Sequence, residues 1–218
     1  MQRKNKNESV SGITGIILFI IWTILILTAD VRPLGVNKTE IGLAGINIWF
    51  HSLTGTNMTL YTITDWLGLV PVFVCMIFAF TGLFQLIKRK SLIKVDADIL
   101  ALGIYYVIVI AGYLIFEMIP INYRPVLING HMEASYPSST TLLVLSVMPT
   151  LVFQSGRRLK NVRIKRLIAV SSAIFSAFMV VGRLISGVHW LTDIVGSVFF
   201  SAGLYYLYKS AVIIADKK

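Results

Sequence analysis

Arg183-Leu-Ile-Ser-Gly-Val-His189-Trp-Leu-Thr-Asp193 joins two apolar runs, 167–187 and 191–208, and overlaps the ends of both. It therefore sits where two hydrophobic segments meet water. Ionisable groups at such a depth are costly and tend to mark function. His189 and Asp193 are four apart, so a helical start to the second run places them on one face, with the carboxylate within reach of one imidazole nitrogen. The other nitrogen is then free as base or nucleophile. Arg183 offers a fork of N–H donors suited to phosphate. A structural reading stands beside this one: Arg183 snorkels to the interface and His189 caps a helix.

Composition sets the class. The chain has 218 residues, of which 56% are hydrophobic and 14% charged, with a mean hydropathy of +0.78. A soluble domain carries about 25% charged residues, so this is an integral membrane protein. The net charge of +10 points to membrane topology because of where the charges lie, and nucleic acid is not expected as a partner. The single cysteine, Cys75, excludes an intrachain disulfide.

In chain order, the first apolar segment is 13–29, behind a polar tail (1–12) that holds Arg3, Lys4 and Lys6. No small-residue cleavage site follows, so it reads as a retained span. Residues 30–65 form a loop, within which 41–53 is too short to span and is expected to lie in the interface as an amphipathic segment. Asn7, Asn37 and Asn57 each open a glycosylation-like triplet, a pattern too common to use. Further spans are expected at 66–87, 97–119, 137–154, 167–187 and 191–208, before a tail at 209–218. Six spans put both termini on one side. That side holds 16 Lys and Arg residues and the other 4 (Arg32, Lys38, Arg124 and Arg183), so the termini are expected in the cytoplasm of a plasma-membrane protein. His51, His131 and His189 all then fall on the outer side.

Two more pieces fall on that outer face. Arg124-Pro125 pairs a second phosphate-grade arginine with a fixed backbone, and Pro137-Ser138-Ser139-Thr140 enters the fourth span. Serines and free N–H groups at a helix start suit an anion, although Ser138 serves equally as a plain N-cap. In this order, the three pieces resemble the type 2 phosphatidic acid phosphatase family. Its signatures run Lys-x6-Arg-Pro, Pro-Ser-Gly-His and Ser-Arg-x5-His-x3-Asp. The third is matched in spacing at every charged position by Arg183, His189 and Asp193, the first keeps Arg124-Pro125, and the second keeps Pro137-Ser138. The likeness covers about residues 66–208. It implies an all-α six-helix bundle and no cofactor or metal. The implied partners are a phosphorylated membrane lipid and the bilayer, and the oligomeric state is left open. It further implies His189 as nucleophile, Asp193 as its orienting partner, Arg124 and Arg183 as phosphate clamps, and Ser138 and Ser139 as phosphate contacts.

Three departures bear on activity. Glu117 stands where the family has lysine, Ser139 replaces glycine, and Thr140 replaces the histidine that protonates the leaving alkoxide. Loss of a general acid costs about 10²–10⁴-fold, roughly 3–5 kcal/mol. A diphosphate has a phosphate leaving group and needs less help, so an isoprenoid diphosphate or related lipid is the expected substrate. His131 or Glu133 is a substitute acid only if its loop swings inward. Glu117 either pairs with Arg124 or Arg183 or repels phosphate. Two other readings are a head-group-binding protein without turnover and a transporter or scaffold. The latter is disfavoured because no ionisable pathway runs through the spans.

Overall fold

The computed structural model describes residues 2–34 and 38–216, with side chains from Lys6 onward; Asn37, Lys217 and Lys218 lie outside these residues. Eight α-helices follow one another: α1 (Gln2–Thr28), α2 (Ala44–Thr54), α3 (Met58–Leu67), α4 (Leu69–Arg89), α5 (Ala97–Met118), α6 (Ser139–Arg158), α7 (Val162–Ile185) and α8 (Leu191–Ala215). Two-residue strands, Arg32–Pro33 and Glu40–Ile41, pair antiparallel between α1 and α2. Among the described residues, six helical segments are long and apolar enough to cross a membrane, with α3 and α4 joining into one of them (Met58–Arg89). The protein is a multi-pass, all-α membrane bundle.

The helix bounds differ from the apolar runs in physically telling ways. α1 begins at Gln2 because polar residues can extend a helix into water once an apolar core has nucleated it. The second span begins at Met58, not 66. Asn57 accepts a hydrogen bond from the Leu60 N–H at 2.9 Å and so caps α3, inside the stretch expected as loop. α2 is the expected short segment, with Trp49 and Leu53 exposed. Its other side is docked: the buried Asn47 bonds the Gly42 carbonyl (2.9 Å), Thr192 Oγ1 (3.0 Å) and the Thr192 N–H (3.2 Å), which pins the start of α8.

α6 is the least apolar span and the most enclosed. Its polar side chains face protein, not lipid, and each of the following finds a partner there. Tyr106 Oη meets Thr150 Oγ1 at 2.7 Å, Gln154 donates to Tyr208 Oη at 2.7 Å, and Tyr105 donates to the Ser146 carbonyl at 2.9 Å. At one end of the bundle Asp98 binds Arg157 (3.0 Å) and Arg158 (2.8 Å), tying the start of α5 to the end of α6. The opposite end carries the segments 29–57, 119–138 and 186–190, and with them His189.

α1 closes the bundle on α8. A Cβ on Gly15 would stand 2.6 Å from the Gly203 Cα, and one on Gly12 would stand 2.8 Å from Leu207. Toward the other end, Phe19 stacks on Phe200 with centroids 4.4 Å apart. Small residues let membrane helices approach this closely, and contact itself supplies the attraction. Replacing Gly15 with Val should therefore destabilise the fold by about 1–3 kcal/mol through overpacking, read as a lower Tm in detergent. An unchanged Tm would show that the α1–α8 contact yields freely.

Candidate active site

The site is built where α7 ends and α8 begins. The α7 helix stops at Ile185, and Gly187 turns the chain with φ of +66°. A Cβ there would come within 1.8 Å of the Gly55 carbonyl oxygen, so only glycine lets this turn seat against the segment after α2. His51 braces the same turn, its Nε2 lying 3.1 Å from the Gly187 carbonyl oxygen and its ring 5.6 Å from that of Trp190.

His189 is 3% exposed. Its Nδ1 lies 3.1 Å from the Ser135 carbonyl oxygen. A carbonyl can only accept, so Nδ1 carries the hydrogen and Nε2 presents a lone pair. That lone pair faces Arg124 Nη1 at 3.3 Å. Burial holds the imidazole pKa well below the ordinary His value; the nearby Arg124 and Arg183 charges push the same way, against the Ser135 carbonyl. The ring is thus neutral, and its Nε2 lone pair is the one that could act as base or nucleophile.

Asp193, fully buried, stands 3.6 Å from His189 Nδ1, an ion-pair distance and not a hydrogen bond. The expected direct reach between the two is taken over by the Ser135 carbonyl. The carboxylate instead accepts the Trp190 N–H at 2.9 Å and lies 3.4 Å from the Asn122 side-chain amide. It locks the first turn of α8, and that turn carries His189 on its flank.

Two arginines frame His189. Arg183, on the last turn of α7, is 1% exposed; its Nη2 is 3.5 Å from Asp65 and its guanidinium lies over the Tyr61 ring at 4.8 Å. Arg124, from the α5–α6 segment, faces the same ring at 5.8 Å and meets Glu133 at 3.1 Å. The Nε atoms of both are buried without a hydrogen-bond partner, the Glu133 contact lying off the N–H direction. Two guanidiniums with unused donors suit an oxyanion.

The start of α6 is the third wall. Ser138 is fully buried, donates its N–H to the Asp193 carbonyl at 3.3 Å, and has its hydroxyl 3.1 Å from Thr141 Oγ1. It ties α6 to α8. Because α6 begins at Ser139, the amides of Ser139, Thr140 and Thr141 have no carbonyl a turn earlier within the helix. Ser139 and Thr140 also line, with Asp65, one end of an apolar cavity of about 450 Å³ between α4, α5 and α6. A second cavity of about 460 Å³, toward the opposite face, adjoins it and shares Val72, Cys75, Tyr106 and Ile110 in its wall.

The sequence matches no protein-family model and no curated protein. The fold is another matter. It is similar to the crystal structure of a transmembrane PAP2 type phosphatidylglycerolphosphate phosphatase from Bacillus subtilis, with a TM-score of 0.65 over 95% of this chain and 96% of that one, at 16% identity. This chain has the PAP2-type fold.

Within that fold, Arg124, Ser138, Arg183, His189 and Asp193 gather at one end of the bundle, with Ser139 and Thr140 beside them. Glu117 and His131 do not join them. Glu117 is exposed near the end of α5, and the expected pairing with an arginine is not formed: Arg124 pairs with Glu133 and Arg183 with Asp65. His131 sits on an exposed turn that pairs backbone to backbone with Ile128. Among the described residues, no three His, Cys, Asp or Glu side chains form a metal-holding group. Sequence reading missed Tyr61, Asp65, Ser135 and Asn122. Only the first two had a signal, in the Asn57 cap that starts their helix.

The displaced His189 titration has a testable sign. The unfolded ring titrates near 6.5, so acidification below that value puts protons on the unfolded chain first and lowers stability. His189→Gln should flatten this acid-side loss in thermal denaturation. Arg124→Gln removes a charge that lowers the pKa and should raise the apparent pKa of His189 in an NMR titration; a fall would contradict the electrostatic account.

Proposed function

We propose that this protein is a membrane lipid phosphatase that works through a phosphohistidine on His189 at the outer face of the plasma membrane. The observation that carries it is a buried imidazole fixed through Nδ1 on the Ser135 carbonyl, so that its Nε2 lone pair faces the Arg124 guanidinium at 3.3 Å. The phosphate settles between Arg124 and Arg183 and above the α6 amides. Nε2 attacks phosphorus in line, and both arginines take up the charge spreading over the equatorial oxygens. Asp193 and Ser135 hold the ring and offset the charge it gains.

The lipid tail fits the apolar cavity that begins at Asp65 and Thr140 and continues past Val72. Thr140 has no proton to give near neutral pH, so a good leaving group is favoured: an isoprenoid diphosphate or related phospholipid, cleaved to release phosphate. The 16-to-4 split of Lys and Arg supports termini in the cytoplasm and the site outside. The structural neighbour is named for phosphatidylglycerolphosphate, which is one phosphomonoester to test here. A second reading, head-group binding without turnover, draws on Thr140 and on the carboxylates already paired with each arginine.

Purified protein given isoprenoid diphosphate and phosphatidic acid side by side, with EDTA present, should release phosphate faster from the diphosphate. His189→Ala should abolish release from both, together with any acid-labile, base-stable phosphoenzyme. Thr140→His should raise activity on the monoester by about 10²-fold, as a regained general acid does, and change the diphosphate rate much less. Wild type without release and without phosphoenzyme, on every lipid phosphate, would hand the site to the binding reading.

A further inference from the structure

The family resemblance assigns proton transfer on the leaving-group side to a histidine, and Thr140 stands in its place. Hydrolysis of a phosphohistidine needs more than a good leaving group: water is a weak nucleophile, and something must take its proton. We propose that Asp65 is that base. The inference rests on the phosphohistidine reading above and supplies the half of the cycle that a diphosphate leaving group does not help.

Geometry selects Asp65. In-line attack by Nε2 puts the leaving oxygen on the side of phosphorus opposite His189. That oxygen carries the lipid, so it must face the apolar cavity that opens at Asp65, Ser139 and Thr140. Asp65 is the one ionisable side chain lining that cavity end apart from the phenol of Tyr113. Its Oδ1 is 3.5 Å from Arg183 Nη2, so an anion seated on Arg183 comes within reach of the carboxylate. Asp65 is also about half exposed, which leaves room for water. Two other carboxylates stand on the nucleophile's side: Glu133 sits on Arg124, whose Nη1 meets Nε2 itself, and Asp193 lies behind the ring at Nδ1. Asp65 reaches its place because α3 ends there, its helix capped by Asn57 and packed on α7 where Gly182 admits Thr64.

The step balances. Once the leaving phosphate and its tail have left, water occupies their position at the cavity mouth. Its oxygen bonds to phosphorus, the P–N bond breaks, and that electron pair returns to Nε2. One proton of the water passes to the Asp65 carboxylate, and inorganic phosphate departs.

Rapid-quench measurement on the full chain in lipid nanodiscs tests this, with isoprenyl diphosphate carrying ³²P in its terminal phosphate. Asp65→Asn should form phosphohistidine within a few-fold of the wild-type rate but lose it about 10²-fold more slowly, so the label accumulates on the protein in the steady state. Asp65→Ala should do the same and be accelerated by added formate, a small base able to enter the vacated space. Slow turnover of Asp65→Asn without accumulated label would make Asp65 only a prop for Arg183 and overturn the proposal. So would unchanged turnover, or accumulation in Glu133→Gln and not in Asp65→Asn. If the Asn variant does not fold, the formate response of Asp65→Ala decides. Wild type with no phosphohistidine on a time course that does release phosphate would overturn the covalent reading itself, a result separable from failure of Asp65 alone.

Discussion

Two guanidiniums buried on one aromatic ring are the constraint around which this end of the bundle is arranged. Arg124 and Arg183 both face Tyr61, and like charges in so dry a place repel strongly. Each is answered by a carboxylate, Glu133 for one and Asp65 for the other, and neither answer uses up the donors. Burial keeps the nearby imidazole neutral, and the two arginine charges push the same way. Every wall then follows: α3 supplies the ring and one counter-ion, the α5–α6 segment the other counter-ion and the Ser135 carbonyl, and the α7–α8 turn His189. Guanidinium N–H groups that keep no hydrogen-bond partner beside these ion pairs suit an anionic ligand.

The six-span frame was legible because lipid demands it: long apolar runs can only be helices when no water is present to satisfy the backbone. Spacing alone placed Arg183, His189 and Asp193 together, since a fixed turn of chain separates them. The span starting at Met58 was obscured because Asp65, Thr62 and Thr64 lower its apolar character, though Thr64 is buried against α7. α6, expected over 137–154, is the least apolar span for a related reason. A helix surrounded by helices does not need an apolar surface, and its Thr, Ser and Gln positions speak to protein partners that a linear string does not name. Ser135 acts through its carbonyl, which every residue has, so no residue type signalled it. The Asp193 carboxylate was expected against the imidazole and serves chiefly the Trp190 N–H, because a helix's first turn competes for any acceptor placed there.

Helix α6 also separates the polar demands of the two ends. At one end its first-turn amides lack a carbonyl within the helix; at the other Arg157 and Arg158 hold Asp98. The helix dipole is positive toward the end that holds His189 and negative toward the basic side chains. One span thus orients the bundle electrostatically as well as filling its centre.

The contact of Gly15 with Gly203 has a consequence for biogenesis. A chain is made from its N-terminal side, so α1 enters the membrane before α8. Until α8 is in place, α1 can dock through Phe19 on Phe116 of α5 and through Thr23 on Tyr136, but the turn that bears His189 has no second strut. A chain interrupted after α7 carries both arginines but lacks His189 and Asp193. The Gly15–Gly203 contact is thus a late, long-range closure, of the kind that slows folding.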